Sequence, residues 1–366
     1  MNFFNGNLLM PGDWVPVVQK ILKWNDKVMI LGQSDSGKTS FMHLLAHYML
    51  RRNRKIGLID GDIGQSTLGP PGTINMQILE YQNLKSKSNS LEYMVFVGAK
   101  SPATCIKKFI YSISKVFQIC QRHRVDIIVI DTTGLVSGEL GIYLKTHLIK
   151  KIQPSTLIAL QREEELEPIL NAYEPGSSVQ IYRLKPFCGI KRKNWQERKK
   201  RRERQYKEYF KETRLMEFNF CEIPLKGLWF SNGKLLARNK VEQLNQEYQL
   251  KIQAIKLLKN MVIIITENQS VIFEPENIKR MKNHFKLHQI VIIPQSWFKY
   301  LLISFNDSEG LSKSLGIIQK IDFWQEKLTA YLPGEIALYY IKQIELGQIK
   351  IKPNGTELPY LEPKTY

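Results

Sequence analysis

The sequence predicts an α/β fold, a parallel sheet with crossover helices, followed by a smaller, mostly-β C-terminal domain. Three observations carry this. Short β-branched runs alternate with longer helical stretches through the first half of the 366-residue chain, as they do where helices join parallel strands. Several of those runs (VMIL at 28–31, IIVI at 127–130) are apolar throughout, the mark of strands covered on both faces. After about Leu215 the texture becomes strand-rich and turn-punctuated, as in MVIIITENQSVIF and LGIIQKIDFWQEKLTAYLP. The predicted domains are therefore 1–214 and 215–366.

In chain order, strands are expected at Val28–Leu31, Ile56–Asp60, Tyr93–Val97, Ile127–Asp131, Thr156–Leu160 and Val179–Leu184. Helices are expected at Lys38–Arg51, Thr104–His123, Leu140–Lys150 and Glu164–Asn171. The stretch 191–212, KRKNWQERKKRRERQYKEYFKE, has strong helix formers and no aliphatics, so it reads as a helix outside the core. The C-terminal domain carries some helix near Glu276–Phe285. Its aromatics Trp297, Phe298, Tyr300, Phe305 and Trp324 are expected to pack its core rather than to form a stacking platform for bases.

Composition excludes several classes. With 43% hydrophobic residues the chain suits a globular protein, and no apolar run nears the ~18 residues a membrane span needs. The N-terminus, MNFFNGNLLMPGDW, has no cationic segment ahead of its apolar part and does not read as a secretory signal. Cys105, Cys120, Cys188 and Cys221 are scattered without a CxxC pair, which fits reduced thiols and a cytoplasmic protein. The net charge is +19, and twelve Lys/Arg against four Glu place +8 of it between Lys191 and Arg214. Such a patch suits a phosphate-rich polymer.

Residues 32–39, GQSDSGKT, fit GxxxxGK[ST] between an apolar strand and a helix. In a P-loop of this kind the glycines let backbone N–H groups turn inward on a phosphate at a helix N-terminus. Gly32, Asp35, Ser36, Gly37, Lys38, Thr39 and Ser40 form the expected nucleotide-binding set. Lys38 reaches the β/γ oxygens of ATP or another NTP, and Thr39 ligates Mg²⁺. The strand VDIIVID ends at Asp131, which is placed to hold the same metal ion.

The segment DGDIGQS follows at 60–66. Asp60 and Asp62 straddle the C-terminal end of a strand, the edge where α/β sheets bind ligands. A carboxylate there can take a proton from an attacking hydroxyl. The alternative is a polar turn in which the aspartates cap. Arg198 and Arg202 lie one helical turn apart on the basic helix, with Tyr206 continuing the stripe, and Lys200–Arg204 offers a second such pair. An arginine at the transferred phosphoryl group is worth orders of magnitude in rate.

With these motifs in view, the chain resembles the polynucleotide 5′-hydroxyl kinases. That family includes the P-loop subunit of the mRNA cleavage and polyadenylation machinery, nucleolar rRNA-processing kinases and compact archaeal and bacterial RNA kinases. Its pattern is a P-loop, DxDxGQ, a TxGW clasp and an RxxxR lid. Here these read GQSDSGKT, DGDIGQ, TTGL at 132–135 and RKKRR at 198–202. The resemblance covers about residues 28–212, and the C-terminal sequence is similar to the family's small β domain.

The resemblance implies an NTP-dependent kinase acting on 5′-hydroxyl ends of RNA, with DNA as a second candidate substrate. Asp62 becomes the general base, Gln65 a phosphate-placing residue, and Thr132, Gly134 and Leu135 the clasp. Arg198 and Arg202 become lid arginines, with Arg201 as a further phosphate contact. Leu135 replaces the family's clasp tryptophan, and the family's longer members carry an N-terminal β domain before the P-loop, so the compact form is expected. Two other readings compete: an NTPase switch in which Asp62 orients water, and a non-catalytic ATP-bound scaffold for RNA processing.

Overall fold

The computed structural model describes residues 11–23, 27–81, 91–173, 178–187, 189, 191–227, 230, 233–267, 275–286, 289–334 and 337–366. The chain divides into two compact units, Met1–Gln205 and Tyr206–Tyr366.

The first unit is built on a seven-stranded sheet. Its strands are β1 (Lys27–Gly32), β2 (Ile56–Asp60), β3 (Thr73–Leu79), β4 (Leu91–Phe96), β5 (Ile127–Asp131), β6 (Thr156–Leu160) and β7 (Gln180–Leu184). Their order is β4-β3-β2-β5-β1-β6-β7. β2, β5, β1, β6 and β7 run parallel, while β3 and β4 pair antiparallel at one edge. β2, β5 and β6 are buried at every position, because helices cover both faces. Helix α1 (Trp14–Ile21), which the sequence reading missed, and α2 (Lys38–Arg51) share one core with β1, β2, β5 and β6. α3 (Ile106–Arg122) and α4 (Gly138–Ile152) pack against each other.

β3 was also unforeseen. Its sequence, TINMQIL, places Asn75 and Gln77 inside an otherwise apolar run. Asn75 is buried but not orphaned, since its Nδ2 donates to Ser66 Oγ at 3.1 Å and Thr73 Oγ1 at 2.9 Å. The helix expected at Glu164–Asn171 shortens to α5 (Glu167–Leu170). Glu165 accepts from the Arg162 and Glu163 N–H groups instead, which holds a turn where a helix would begin. The basic stretch forms α6 (Trp195–Tyr209), and the division between the units falls inside it.

The second unit holds two sheets. A seven-stranded sheet contains antiparallel strands at Leu301–Asn306, Ser312–Asp322, Lys327–Pro333 and Gln343–Ile351. A five-stranded sheet contains a parallel pair, Met261–Thr266 and Gln289–Pro294, which flank helix Pro275–Phe285 in sequence. A further helix at Arg238–Tyr248 was not anticipated; its Val241, Leu244 and Tyr248 face are buried on that sheet. Trp297, Phe298 and Phe305 lie in the core, while Tyr300 and Trp324 are half-buried.

Among the described residues no helix is long and apolar enough to cross a membrane. Cys105, Cys120 and Cys221 are free thiols, and Cys188 lies outside the described residues.

Candidate active site

The parallel strands bring three motifs to one edge. Asp60 and Asp131 are register partners at the C-terminal ends of β2 and β5, and Ile30, two residues before Gly32, is the partner of Asp131 on β1. The P-loop, the DGDIGQ turn and the 132–135 loop therefore leave the sheet side by side.

Within the P-loop, Gly37 takes φ 96° as the N-cap of α2, a left-handed conformation that side chains resist. It turns the amides of α2's first turn toward the space above the loop, where an anion is favoured. Lys38 is 5% exposed, and its Nζ donates to the Gln33 carbonyl at 2.8 Å. Ser36 Oγ is buried without a hydrogen-bond partner among the described residues. Thr39 Oγ1 donates to Asp131 Oδ2 at 2.5 Å, and Asp131 Oδ1 is buried with no hydrogen-bond partner among the described residues. Burial pushes the Asp131 pKa up to about 7, against the pull of Lys38 and with the charge of Asp60 adding to it. A buried carboxylate with an unused oxygen beside a hydroxyl is a donor set that suits Mg²⁺.

The two aspartates of DGD are held differently. Asp60 is 1% exposed, and Oδ2 accepts from Ser66 Oγ, Thr67 N, Thr67 Oγ1 and Leu68 N at 2.5–3.1 Å. Its Oδ1 accepts from Asp62 N at 3.0 Å. Burial raises the Asp60 pKa; the Thr67 amide opposes this and the Asp62 charge adds to it. Asp62 is half-buried and lines the cleft. Its Oδ1 accepts from the Gly64 and Gln65 amides, both at 3.1 Å, while Oδ2 has no hydrogen-bond partner among the described residues. Asp60 folds the turn; Asp62 presents an oriented, open oxygen.

The cleft over the P-loop encloses about 320 Å³. Lys38, Lys193, Arg198 and Arg201 contribute four cations to its lining, against the carboxylates of Asp35 and Asp62. Ser40 and Gln65 line it too. Gln65 Nε2 donates to the Gly64 carbonyl at 2.6 Å and to the Arg198 carbonyl at 3.2 Å, which joins the turn to α6. Arg198 pairs with Asp35 through Nη2 at 2.8 Å, and the Lys193 amide donates to the same oxygen at 3.0 Å. Burial acts to raise the Asp35 pKa, but the Lys193 amide and the Arg198 guanidinium outweigh it and hold the carboxyl below its ordinary value.

Some expected residues sit elsewhere. Arg202 is only 8% exposed and is not among the residues lining the cleft; Arg201, three residues on from Arg198, lines it instead. Lys200 and Arg204 point to solvent. The Thr132 hydroxyl is turned into the sheet, where it donates to the Ile30 carbonyl at 2.7 Å. Gly134 lies against the P-loop so closely that a Cβ there would meet Ser34 atoms at 2.3–2.8 Å. Leu135 is half-buried and does not line the cleft.

Two features escaped the sequence reading. Arg162 Nη2 braces the P-loop through the Asp35 carbonyl at 3.1 Å, and nothing in the sequence signals it. Lys145 is fully buried, with Nζ donating to Thr133 O at 2.6 Å and Thr133 Oγ1 at 3.3 Å. Here a signal existed: Lys145 falls in the apolar stripe of α4, with Gly141, Leu144, Leu148, Ile149 and Ile152.

Residues 32–212 match the family model described as mRNA cleavage and polyadenylation factor CLP1 P-loop. The polyribonucleotide 5′-hydroxyl-kinase of Methanocaldococcus jannaschii is 29% identical over 339 residues, covering 92% of this chain and 90% of that one. The kinase of the same name from Pyrococcus horikoshii is 27% identical over 359 residues, covering 96% and 94%. Among solved structures, wild-type Clp1p in its complex with Pcf11p aligns with a TM-score of 0.60 over 92% of this chain and 79% of that chain. At 14% identity this last is a likeness of fold.

Proposed function

We propose, from the match of residues 32–212 to the CLP1 P-loop family model, that the chain is an NTP-dependent kinase that phosphorylates the 5′-hydroxyl end of RNA. The observation that carries the reading is the Asp62 carboxylate. One oxygen is fixed by two backbone amides, and the residue lines a cleft that also holds the P-loop lysine and two arginines.

In this reading the NTP triphosphate lies along the P-loop amides, with Lys38 at the β/γ oxygens. Asp62 accepts the proton of the 5′-hydroxyl as that oxygen bonds to the γ-phosphorus, and the bond from phosphorus to the nucleoside diphosphate oxygen breaks. Arg198 and Arg201 face the charge on the transferred group. Thr39 and Asp131 would hold Mg²⁺, which would supply positive charge to the transferring phosphates. Asp60 acts through the turn it folds. Thr132 and Gly134 serve as a wall behind the P-loop.

The experiment is incubation with γ-labelled ATP, Mg²⁺ and 5′-hydroxyl RNA and DNA oligonucleotides. Label transferred to RNA supports the kinase reading, and transfer to DNA would widen the substrate class. Label recovered only as free phosphate would favour an NTPase switch, and none released a non-catalytic scaffold.

A further inference from the structure

We propose that Lys145 is a positioning residue for phosphoryl transfer, holding the 132–135 loop in place from inside the core. This rests on the kinase reading above.

Lys145 has no exposed surface, and among the described residues its hydrogen bonds run to one residue, Thr133. Burying an ammonium is costly unless it is paired and hydrogen-bonded, and its place in the stripe of α4 needs only packing, which leucine or methionine would supply. A lysine there has to be explained by what its nitrogen reaches. The nitrogen reaches the centre of a loop whose two neighbouring residues are also fixed. Thr132 is tied to β1 through the Ile30 carbonyl, and Gly134 is seated on Ser34 of the P-loop.

Three consecutive residues are thus pinned, one to the sheet, one to α4 and one to the phosphate loop. Asp131 immediately precedes them, and Ser34 lines the cleft. The Lys145 charge also interacts with Lys38, Asp62 and Asp131. Without the Lys145 contact, Thr133 loses its anchor, and the contact of Gly134 with Ser34 rests on the loop alone. The phosphate cradle at 36–39 belongs to the N-terminus of α2 and keeps its own geometry. The defect should therefore fall on the transfer step rather than on NTP binding.

The test compares wild type, Lys145→Met and Lys145→Gln, with rates expressed per ATP-binding site counted by titration. A small misplacement of a catalytic frame costs up to about 10²-fold in rate, so Lys145→Met should lose about 10- to 100-fold in kcat while its ATP Kd stays within about threefold of wild type. Lys145→Gln keeps an N–H donor on a shorter chain and should recover part of the loss. Amide hydrogen exchange at 133–135 should be faster in Lys145→Met than in wild type. An unchanged kcat per site overturns the proposal, as does a loss of ATP binding that matches the loss of rate. If wild type itself transfers nothing to RNA, the kinase reading fails, and the exchange at 133–135 still decides whether Lys145 holds the loop.

Discussion

Arg198 Nη2 lies 2.8 Å from Asp35 Oδ2, an ion pair that ties the basic helix to the P-loop. The side chains are 33% and 12% exposed, so the arginine is held at the cleft rather than free in solvent. Arg201 lines the same cleft, whereas Arg202 is buried and does not. The arginines of RKKRR are thus sorted by place.

Substitution by alanine should follow that sorting. An arginine at the transferred group is worth about 10³–10⁵-fold, so Arg198→Ala and Arg201→Ala together should cost at least about 10³-fold in kcat. Arg202→Ala should lower thermal stability more than it lowers kcat per folded molecule. Steady-state transfer at saturating ATP, read beside melting temperatures, separates the two. A kcat loss at Arg202 exceeding that at Arg201 would restore the i,i+4 pairing that the sequence suggests.

Affinity for RNA should depend steeply on salt through the outer face of the same helix. Lys200, Arg204 and Lys207 are exposed there. Each phosphate neutralised on a single strand contributes about −0.7 to the slope of log K against log salt. Replacing all three by alanine should make the slope shallower by up to about 2 on that basis. Lys38→Ala should abolish transfer and leave the slope unchanged. An unaltered slope in the triple variant would place the RNA on another surface.

Lys145 gives a pH signature. Burial lowers its pKa from 10.5 to about 7, with Lys38 lowering it further and Asp62 and Asp131 opposing. Between those values the unfolded chain binds a proton that the folded chain does not, so the free energy of unfolding rises with pH across the window. Below about 7 both states are protonated and the cost of burial is full. Wild type should therefore gain stability relative to Lys145→Met as pH rises from 7 toward 10, with a flat difference below 7. Urea unfolding of both proteins at four pH values checks this; a difference that is constant with pH would contradict it.

Much of the first unit was legible because its signals are local. β2, β5 and β6 are buried at every position and apolar apart from Asp60, Asp131 and Thr156 at their ends, and α2 starts at Lys38, immediately after the GxxxxG turn. β3 was hidden by Asn75 and Gln77, since the burial of Asn75 depends on hydrogen bonds to Ser66 and Thr73 that no spacing reveals. The motif residues themselves could be named from sequence; the directions of their side chains could not. Thr132 reads as a cleft residue until its hydroxyl is seen on the Ile30 carbonyl. The choice between Arg201 and Arg202 turns on roughly 100° of helix rotation per residue, which sequence spacing does not orient toward the site.

In the proposed kinase reaction Asp62 takes the proton while Asp60 builds the turn that presents it. The direct measurement is single-turnover transfer from γ-labelled ATP to a 5′-hydroxyl RNA by Asp62→Asn and Asp60→Asn, with ATP affinity and melting temperature recorded for each. General-base catalysis is typically worth about 10²–10⁴-fold, so Asp62→Asn should lose about that much in rate with near-normal ATP binding and stability. Asp60→Asn replaces one carboxylate oxygen of a group that accepts five hydrogen bonds, so it should lose stability first and rate through the disturbed turn. Asp62→Asn at a near wild-type rate, with Asp60→Asn folded and inactive, would contradict the account.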